Sequence, residues 1–210
     1  MRQVRIVSAN DPSIEGATCL MRIETLFSKV ERPYTGRELR PHFLLSQLGL
    51  KGSAVGAFIG SCQVETEDLV DLEDSLAGDR IEARWMIHFL GEFFGISLRE
   101  GVLIQRLVMA ILGESLSARL PQTSGLSIRR DGDDLFVGDQ KLSVSIVTAS
   151  PVSQLLHIGI NIDPTGAPVS AIGLQKLGII PDEWIPEALQ RISSELDSMN
   201  WACAKVRPVM

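Results

Sequence analysis

Apolar positions change their spacing several times along this chain, and each change marks an element. The run AVGAFIGSCQV at Ala54–Val64 is apolar almost throughout and of strand length, which predicts a buried strand, with Gly56 and Gly60 four residues apart on one side of the sheet. From Ile81 to Phe94 the apolar residues fall at helical spacing, and residues 103–116 repeat that spacing, so two helices joined at Gly95 are predicted. Leu135, Phe136 and Val137 read as a strand ended by Gly138-Asp139-Gln140. Leu142, Val144 and Ile146 then alternate with Ser143, Ser145 and Val147 at the period of a half-buried strand, completing a hairpin. In that ribbon Lys141 opens the second strand and Asp133 and Asp134 open the first, which places them near opposite ends unless the sheet curls, with no need for an ion pair. Ile158, Ile160 and Ile162 alternate with Gly159 and Asn161 in a third strand, where the missing side chain of Gly159 allows a ligand or another backbone to approach.

The remaining elements are less regular. Residues 4–7 read as a short strand, and Leu20, Ile23, Leu26 and Phe27 form one face of a helix bounded by Pro12 and Pro33. Thr35 and Glu38 have the spacing of a capping box ahead of Leu39, Phe43 and Leu44, with Pro41 disturbing the first turn. Residues 183–199 form an amphipathic helix behind Pro181-Asp182, and residues 201–206 return as a strand. An antiparallel ladder with segregated helices makes α+β the fold class, with a mixed, mainly antiparallel sheet flanked by helices.

At 210 residues, one domain spanning 1–210 around a single core is the default. The apolar runs stop well short of the roughly 20 residues a membrane helix needs. The opening MRQVRIVSAN has no apolar core of a signal peptide. Cys19, Cys62 and Cys203 are odd in number and in no metal-binding spacing, which argues for a reducing compartment, the cytoplasm, and against a structural zinc. A net charge of −6 disfavours nucleic acid as a partner. Neither a Walker A loop nor a GxGxxG behind a strand is present, which disfavours a P-loop NTPase or a Rossmann dehydrogenase.

Several residues could carry chemistry. An ammonium at the mouth of a sheet, as at Lys141, stabilises negative charge developing on an acyl or phosphoryl oxygen, although a turn lysine is ordinarily solvated. Asp133 and Asp134 could hold a metal carried with a nucleotide or orient a ligand, whereas the bland reading is that aspartates favour strand entry. Asp68, Asp71, Glu73 and Asp74 precede residues 81–94, where acid suits a solvated or capping role at a helix N-terminus, and contact with a ligand or magnesium is the other reading. Any histidine acid–base proposal must use His42, His88 or His157. His88 and Glu92 would meet on one helical face, and His157 borders the Gly159 strand. Tyr34, Gly36, Arg37, Arg40 and His42 could form an anion-binding edge at a helix start. Cys62 ends a glycine-bearing strand, where free cysteine is commonly a buried core residue.

The hairpin and the Gly-Ile-Asn strand together resemble the catalytic domain of biotin and lipoate protein ligases. Asp133 stands where those ligases have Asn, Asp134 and Leu135 match, Lys141 falls at the catalytic lysine, and Gly159-Ile160-Asn161 matches the last strand. With VDLED upstream, the string is more similar still to the prokaryotic domain of unknown function 366, from about Tyr34 to the C-terminal helix. The resemblance implies a biotin/lipoate-ligase-like fold, related to class II aminoacyl-tRNA synthetases, without an accessory DNA-binding domain. It implies an enzyme that binds a small carboxylic acid or its activated ester, of the lipoate, biotin or octanoate type, and transfers the acyl group, with a carrier protein as acceptor. In that reading Lys141 contacts the acyl oxygen, Asp134 positions ligand or magnesium carried with ATP, and Cys62 takes the place of the nucleophile that related octanoyl transferases use. Arg40, His42, Asp133, His157, Gly159 and Asn161 would bind substrate. The Arg-Arg-x-x-Gly-Gly and Gly-Arg-Gly-Arg segments with which the ligases hold phosphates have no counterpart. A binding module without activation chemistry is the alternative, and an exposed edge strand would permit a homodimer.

Overall fold

A computed structural model describes residues 22–121 and 125–209. Residues 4–7, Cys19 and most of the helix expected before Pro33 lie outside them. Its C-terminal portion is instead a strand, β1 (Glu24–Phe27), which runs parallel to β2 (Ala54–Val64). The main sheet has the order β1-β2-β3-β8-β7, with β3 at Ile81–Phe94, β7 at Ser143–Ala149 and β8 at Ser153–Asp163; every pairing after the first is antiparallel.

The helix predicted over residues 81–94 is therefore a 14-residue strand. It lies in the centre of the sheet between β2 and β8, and Met86 to Phe93 are buried whichever face they point to. A strand buried on both faces needs apolar residues at nearly every position, so its pattern satisfies a helical spacing by accident. Trp85, Ile87, Phe89 and Phe93 are residue types that favour the pleated sheet.

Side chains alternate between two cores. On one face Val55, Ala57, Ile87, Phe89, Leu156, Ile158 and Ile160 pack against α3 (Leu98–Ser117) and α5 (Pro181–Ala204). There the Trp184 ring meets Phe89 edge-on, and its indole N–H donates to Ser115 Oγ at 2.9 Å. On the other face Ala54, Phe58, Cys62, Met86 and Leu90 pack with Tyr34, Phe43 and Leu44 around the short α1 (Phe43–Leu48). The two β2 glycines serve this second face as their spacing suggests. Gly56 receives Leu44 and Leu48, and a side chain at Gly60 would collide with the Arg32 carbonyl. That close approach lets Tyr34 donate its backbone N–H to the Ser61 carbonyl and lie beside Cys62.

The predicted hairpin splits in two. β4 (Ile128–Asp131), β5 (Asp134–Val137) and β6 (Gln140–Lys141) make a small separate sheet, and the chain then bends at the fully buried Leu142 to enter β7 of the main sheet. Leu142 donates its N–H to the Leu135 carbonyl, and Leu135 donates to Ser143 Oγ, both at 2.8 Å, so the bend is tied to β5. The last helix runs on through residues 201–204, where the sequence predicts a return strand. The Thr35–Glu38 box forms locally, with Glu38 accepting from the Thr35 N–H at 2.8 Å, but no helix follows until Phe43.

Candidate functional site

A cleft of about 410 Å³ opens on the face of the sheet opposite α3 and α5. Its floor comes from strand alternation. While Leu156, Ile158 and Ile160 of β8 point to the helices, His157 and Asn161 point the other way, joined by Met86 of β3 and Val144 of β7. Gly159 lies under this floor without lining it. The space its Cβ would take holds the ends of Met86 and Val144, so the close approach that the missing side chain permits is used by packing.

One wall is the small sheet. The register places Phe136 opposite Lys141, so Asp134, two residues before Phe136, shares Lys141's side of the ribbon. Lys141 Nζ and Asp134 Oδ2 are 2.9 Å apart, which corrects the expectation that these residues lie at opposite ends of the ribbon. A two-residue β6 is too short to separate them. Lys141 is held by its backbone. It donates to Ser170 O, and its carbonyl accepts from Ile172 N–H and from Asn161 Nδ2. Burial raises the Asp134 carboxyl above its ordinary pKa, and the Lys141 ammonium opposes that shift. Asp133 is tied to α3, its carboxylate facing Arg106 Nη1 at 3.3 Å and accepting from Gln105 Nε2 at 3.2 Å, while its carbonyl accepts from Ser145 Oγ at 2.8 Å.

The roof is the acidic segment after β2. Asp71 caps the short α2 (Leu72–Ala77), accepting from the N–H groups of Glu73 and Asp74, so the cluster caps this helix and not one over residues 81–94. Asp68, Asp71, Asp74, Asp79 and Glu82 face the cleft from this side, with Arg80. Burial and the neighbouring carboxylates of Asp71 and Asp79 raise the Asp74 pKa, and Lys141 partly offsets them. Counting Asp133 and Asp134, seven carboxylates line the cleft against two cations, Arg80 and Lys141. This inventory does not fit an unaccompanied nucleotide triphosphate. Among the described residues no group of three or more His, Cys, Asp or Glu could hold a metal.

At the inner end, the His157 ring stacks on Tyr34 with centroids 3.8 Å apart, and its Nε2 meets His88 Nδ1 at 3.1 Å. His88 Nε2 is enclosed against the Gly60 and Ser61 backbone without a well-formed hydrogen bond. Burial lowers His88 to about 3 and His157 well below its ordinary value, with His88 adding to the shift at His157, so both rings are neutral near pH 7. His88 thus pairs across the sheet with His157 and not with Glu92. Glu92 accepts from Ser153 Oγ and from the His42 backbone N–H.

Three sequence candidates lie away from the cleft. His42, with φ of 61°, turns its N–H onto both Glu92 carboxylate oxygens at 2.9 and 3.0 Å, so the anion at the α1 start is the chain's own. Arg40 is exposed, donates to the Arg37 carbonyl and lies over Phe43. Cys62 is buried in the core beside Tyr34, and burial pushes its thiol up to about 12. The thiol is neither ionised nor presented to the cleft. Sequence reasoning singled out VDLED but missed that residues 66–82 fold back over the sheet. It also missed Tyr34 as the partner of His157, for which the only signal is that it is the sole tyrosine.

The architecture is that of biotin and lipoate ligases. A biotin protein ligase variant from Aquifex aeolicus, solved with biotin, superposes with a TM-score of 0.53 at 16% identity, covering 86% of this chain and 72% of that one. The chain itself belongs to the family described as Domain of unknown function (DUF366), which matches residues 23–207. An uncharacterized protein of Methanocaldococcus jannaschii is 32% identical over 192 residues, 88% of this chain and 85% of the relative. A protein of unknown function from Pyrococcus horikoshi has the same fold at a TM-score of 0.82 and 34% identity, covering 90% of this chain and all of the other. Among the described residues, no helix is long and apolar enough to cross a membrane.

Proposed function

We propose that this protein binds a small acyl compound, presented as an activated ester, in the cleft, and that it passes the acyl group to an acceptor. The observation that carries the reading is the Lys141–Asp134 pair, set at the cleft wall of a ligase-type fold by backbone bonds on three sides. A bound acyl oxygen would compete with Asp134 for the ammonium, and charge developing on that oxygen during attack would win the competition. Asn161 holds the Lys141 carbonyl and so fixes where the side chain starts. Direct transfer to the acceptor fits better than an acyl-enzyme on Cys62, whose thiol is buried and protonated. The carboxylate excess argues for an ester activated elsewhere over adenylation in this cleft.

A thermal-shift series with octanoyl, lipoyl and biotinyl thioesters of N-acetylcysteamine, each beside its free acid with and without ATP and magnesium, tests the reading. At least one thioester should raise the melting temperature more than its free acid does without nucleotide. A shift seen only with free acid plus ATP and magnesium would contradict it. The noncatalytic alternative rests on the same inaccessible thiol, and it predicts thioester binding with no acyl transfer to hydroxylamine in excess of the buffer rate.

A further inference from the structure

The middle of the cleft floor is apolar, and β8 measures it out. Asn161, which bonds the Lys141 carbonyl, marks the end where an acyl oxygen would meet the ammonium, and His157 marks the end beneath Tyr34. At roughly 3.3 Å per strand residue, Gly159 lies about 6.6 Å and His157 about 13 Å from Asn161. An extended acyl chain advances roughly 1.3 Å per carbon, given C–C bonds of about 1.5 Å. An octanoyl chain starting at Lys141 therefore crosses the Gly159 position, whereas a butyryl chain stops short of it. Over that stretch Met86, Val144 and Ile146 line the floor, and Leu69, Val70 and Ile81 line the roof.

The height of this floor depends on Met86. Its thioether end rests in the space that a side chain on Gly159 would fill, since a Cβ there would lie 2.6 Å from Met86 Cε, 3.4 Å from its Sδ and 3.0 Å from Val144 Cγ2. The cross-strand partner of Met86 is Asn161, so the side chain reaches diagonally to Gly159, a span open to long side chains. Met86 is 1% exposed and still lines the cleft, with the sheet beneath its tip and Val144 beside the same notch. A group added under the tip thus lifts it into the cleft. The unbranched thioether turns about three bonds, so the tip moves without disturbing the strand.

We infer that Met86, seated over the side-chain-free Gly159, is the specificity-determining residue that sets how long an acyl chain the cleft accepts. This rests on the acyl reading proposed above and names the residue pair that governs its chain length.

Calorimetry on the full chain with the butyryl and octanoyl thioesters of N-acetylcysteamine tests it, because the two probes share a carbonyl and a leaving group and differ only beyond the notch. The native protein should bind octanoyl at least about tenfold tighter than butyryl. Gly159→Ala, which raises the Met86 tip, should cut that ratio at least about tenfold, and adding Met86→Ala should restore it to within about threefold of the native value. Met86→Ala alone empties the notch and needs no new space, so it serves if Gly159→Ala folds poorly. It should improve binding of the 5-phenylpentanoyl thioester relative to octanoyl by about fivefold or more. A native protein without chain-length preference, a ratio unmoved in folded Gly159→Ala, no recovery in the double variant, or an unmoved phenylpentanoyl preference in Met86→Ala would each overturn the inference. Lys141→Met separates it from the acyl reading. If that change weakens both probes while the Gly159 and Met86 variants leave the ratio alone, the acyl reading stands and the inference fails. If the ratio follows Gly159 and Met86 but Lys141→Met leaves both affinities as they were, the gauge stands and the role of Lys141 fails. No binding by either thioester overturns both.

Discussion

The two faces of the central sheet are made by the same strands and do opposite work. Along β8, Leu156, Ile158 and Ile160 disappear under α3 and α5, whereas His157 and Asn161, one position out of phase, floor a polar cleft. The helical face gains its stability from apolar area and has no polar obligations beyond pairs such as Trp184 with Ser115. The cleft face buries the His88–His157 imidazole pair and leaves His88 Nε2 without a hydrogen bond, which costs stability and is a common mark of a binding surface. Alternation at a period of two lets a single strand meet both demands.

The contrast breaks most visibly at the helical face. Phe89→Ala removes a fully buried ring from against Trp184 and should cost about 3–5 kcal/mol, read as a lower urea midpoint. Thioester affinity, measured where the variant is still folded, should be nearly unchanged.

The imidazole pair should behave differently. His88→Leu leaves His157 Nε2 without its partner and should cost about 1–3 kcal/mol, while replacing both histidines with Leu should recover much of that loss. Their pKa values are depressed by folding, so the unfolded chain binds more protons between its ordinary histidine value near 6.5 and the folded value of about 3 for His88. The stability tied to the neutral pair is thus fully present above about pH 6.5 and is lost as pH falls through that window. Chemical denaturation at several pH values should show a shallower acid slope in the double-Leu protein than in the native one, and parallel slopes would contradict the assignment.

Asp71→Ala should have a smaller and local effect. It removes the cap from the first turn of α2 and costs about 1 kcal/mol. Amide exchange should accelerate over residues 72–77 while β8 amides stay protected, and a uniform acceleration would mean that the roof is coupled to the sheet.

How far these two faces could be read in advance follows from which forces act locally. β2, α3, α5 and the β8 alternation are legible because each has a run long enough to show its own period. β3 is not, since burial on both faces erases the alternation that distinguishes strand from helix. The bend at Leu142 depends on the buried site that receives it, so the hairpin was drawn as one ribbon and the Lys141–Asp134 pair was missed. Arg40 and His42 were placed at an anion site because the anion that occupies it, Glu92, is 50 residues further along the chain. Lys141, Asp133, Asp134, His157 and Asn161, chosen from residue pattern and family resemblance, do line one cleft, while Gly159 lies just beneath it and Cys62 does not reach it.

The central claim is that Lys141 serves the cleft and not the fold, and Lys141→Met tests it by pairing a melt with a binding isotherm for the octanoyl thioester of N-acetylcysteamine. The pair with Asp134 keeps access to solvent, its side chains being 31% and 23% exposed, and contributes about 0–1 kcal/mol to stability, so the melting temperature should hardly move. A charge-assisted hydrogen bond to a desolvated acyl oxygen contributes about 1.5–3 kcal/mol, so affinity should fall roughly 10- to 150-fold. A variant that melts far earlier yet binds the thioester as the native protein does would contradict the account.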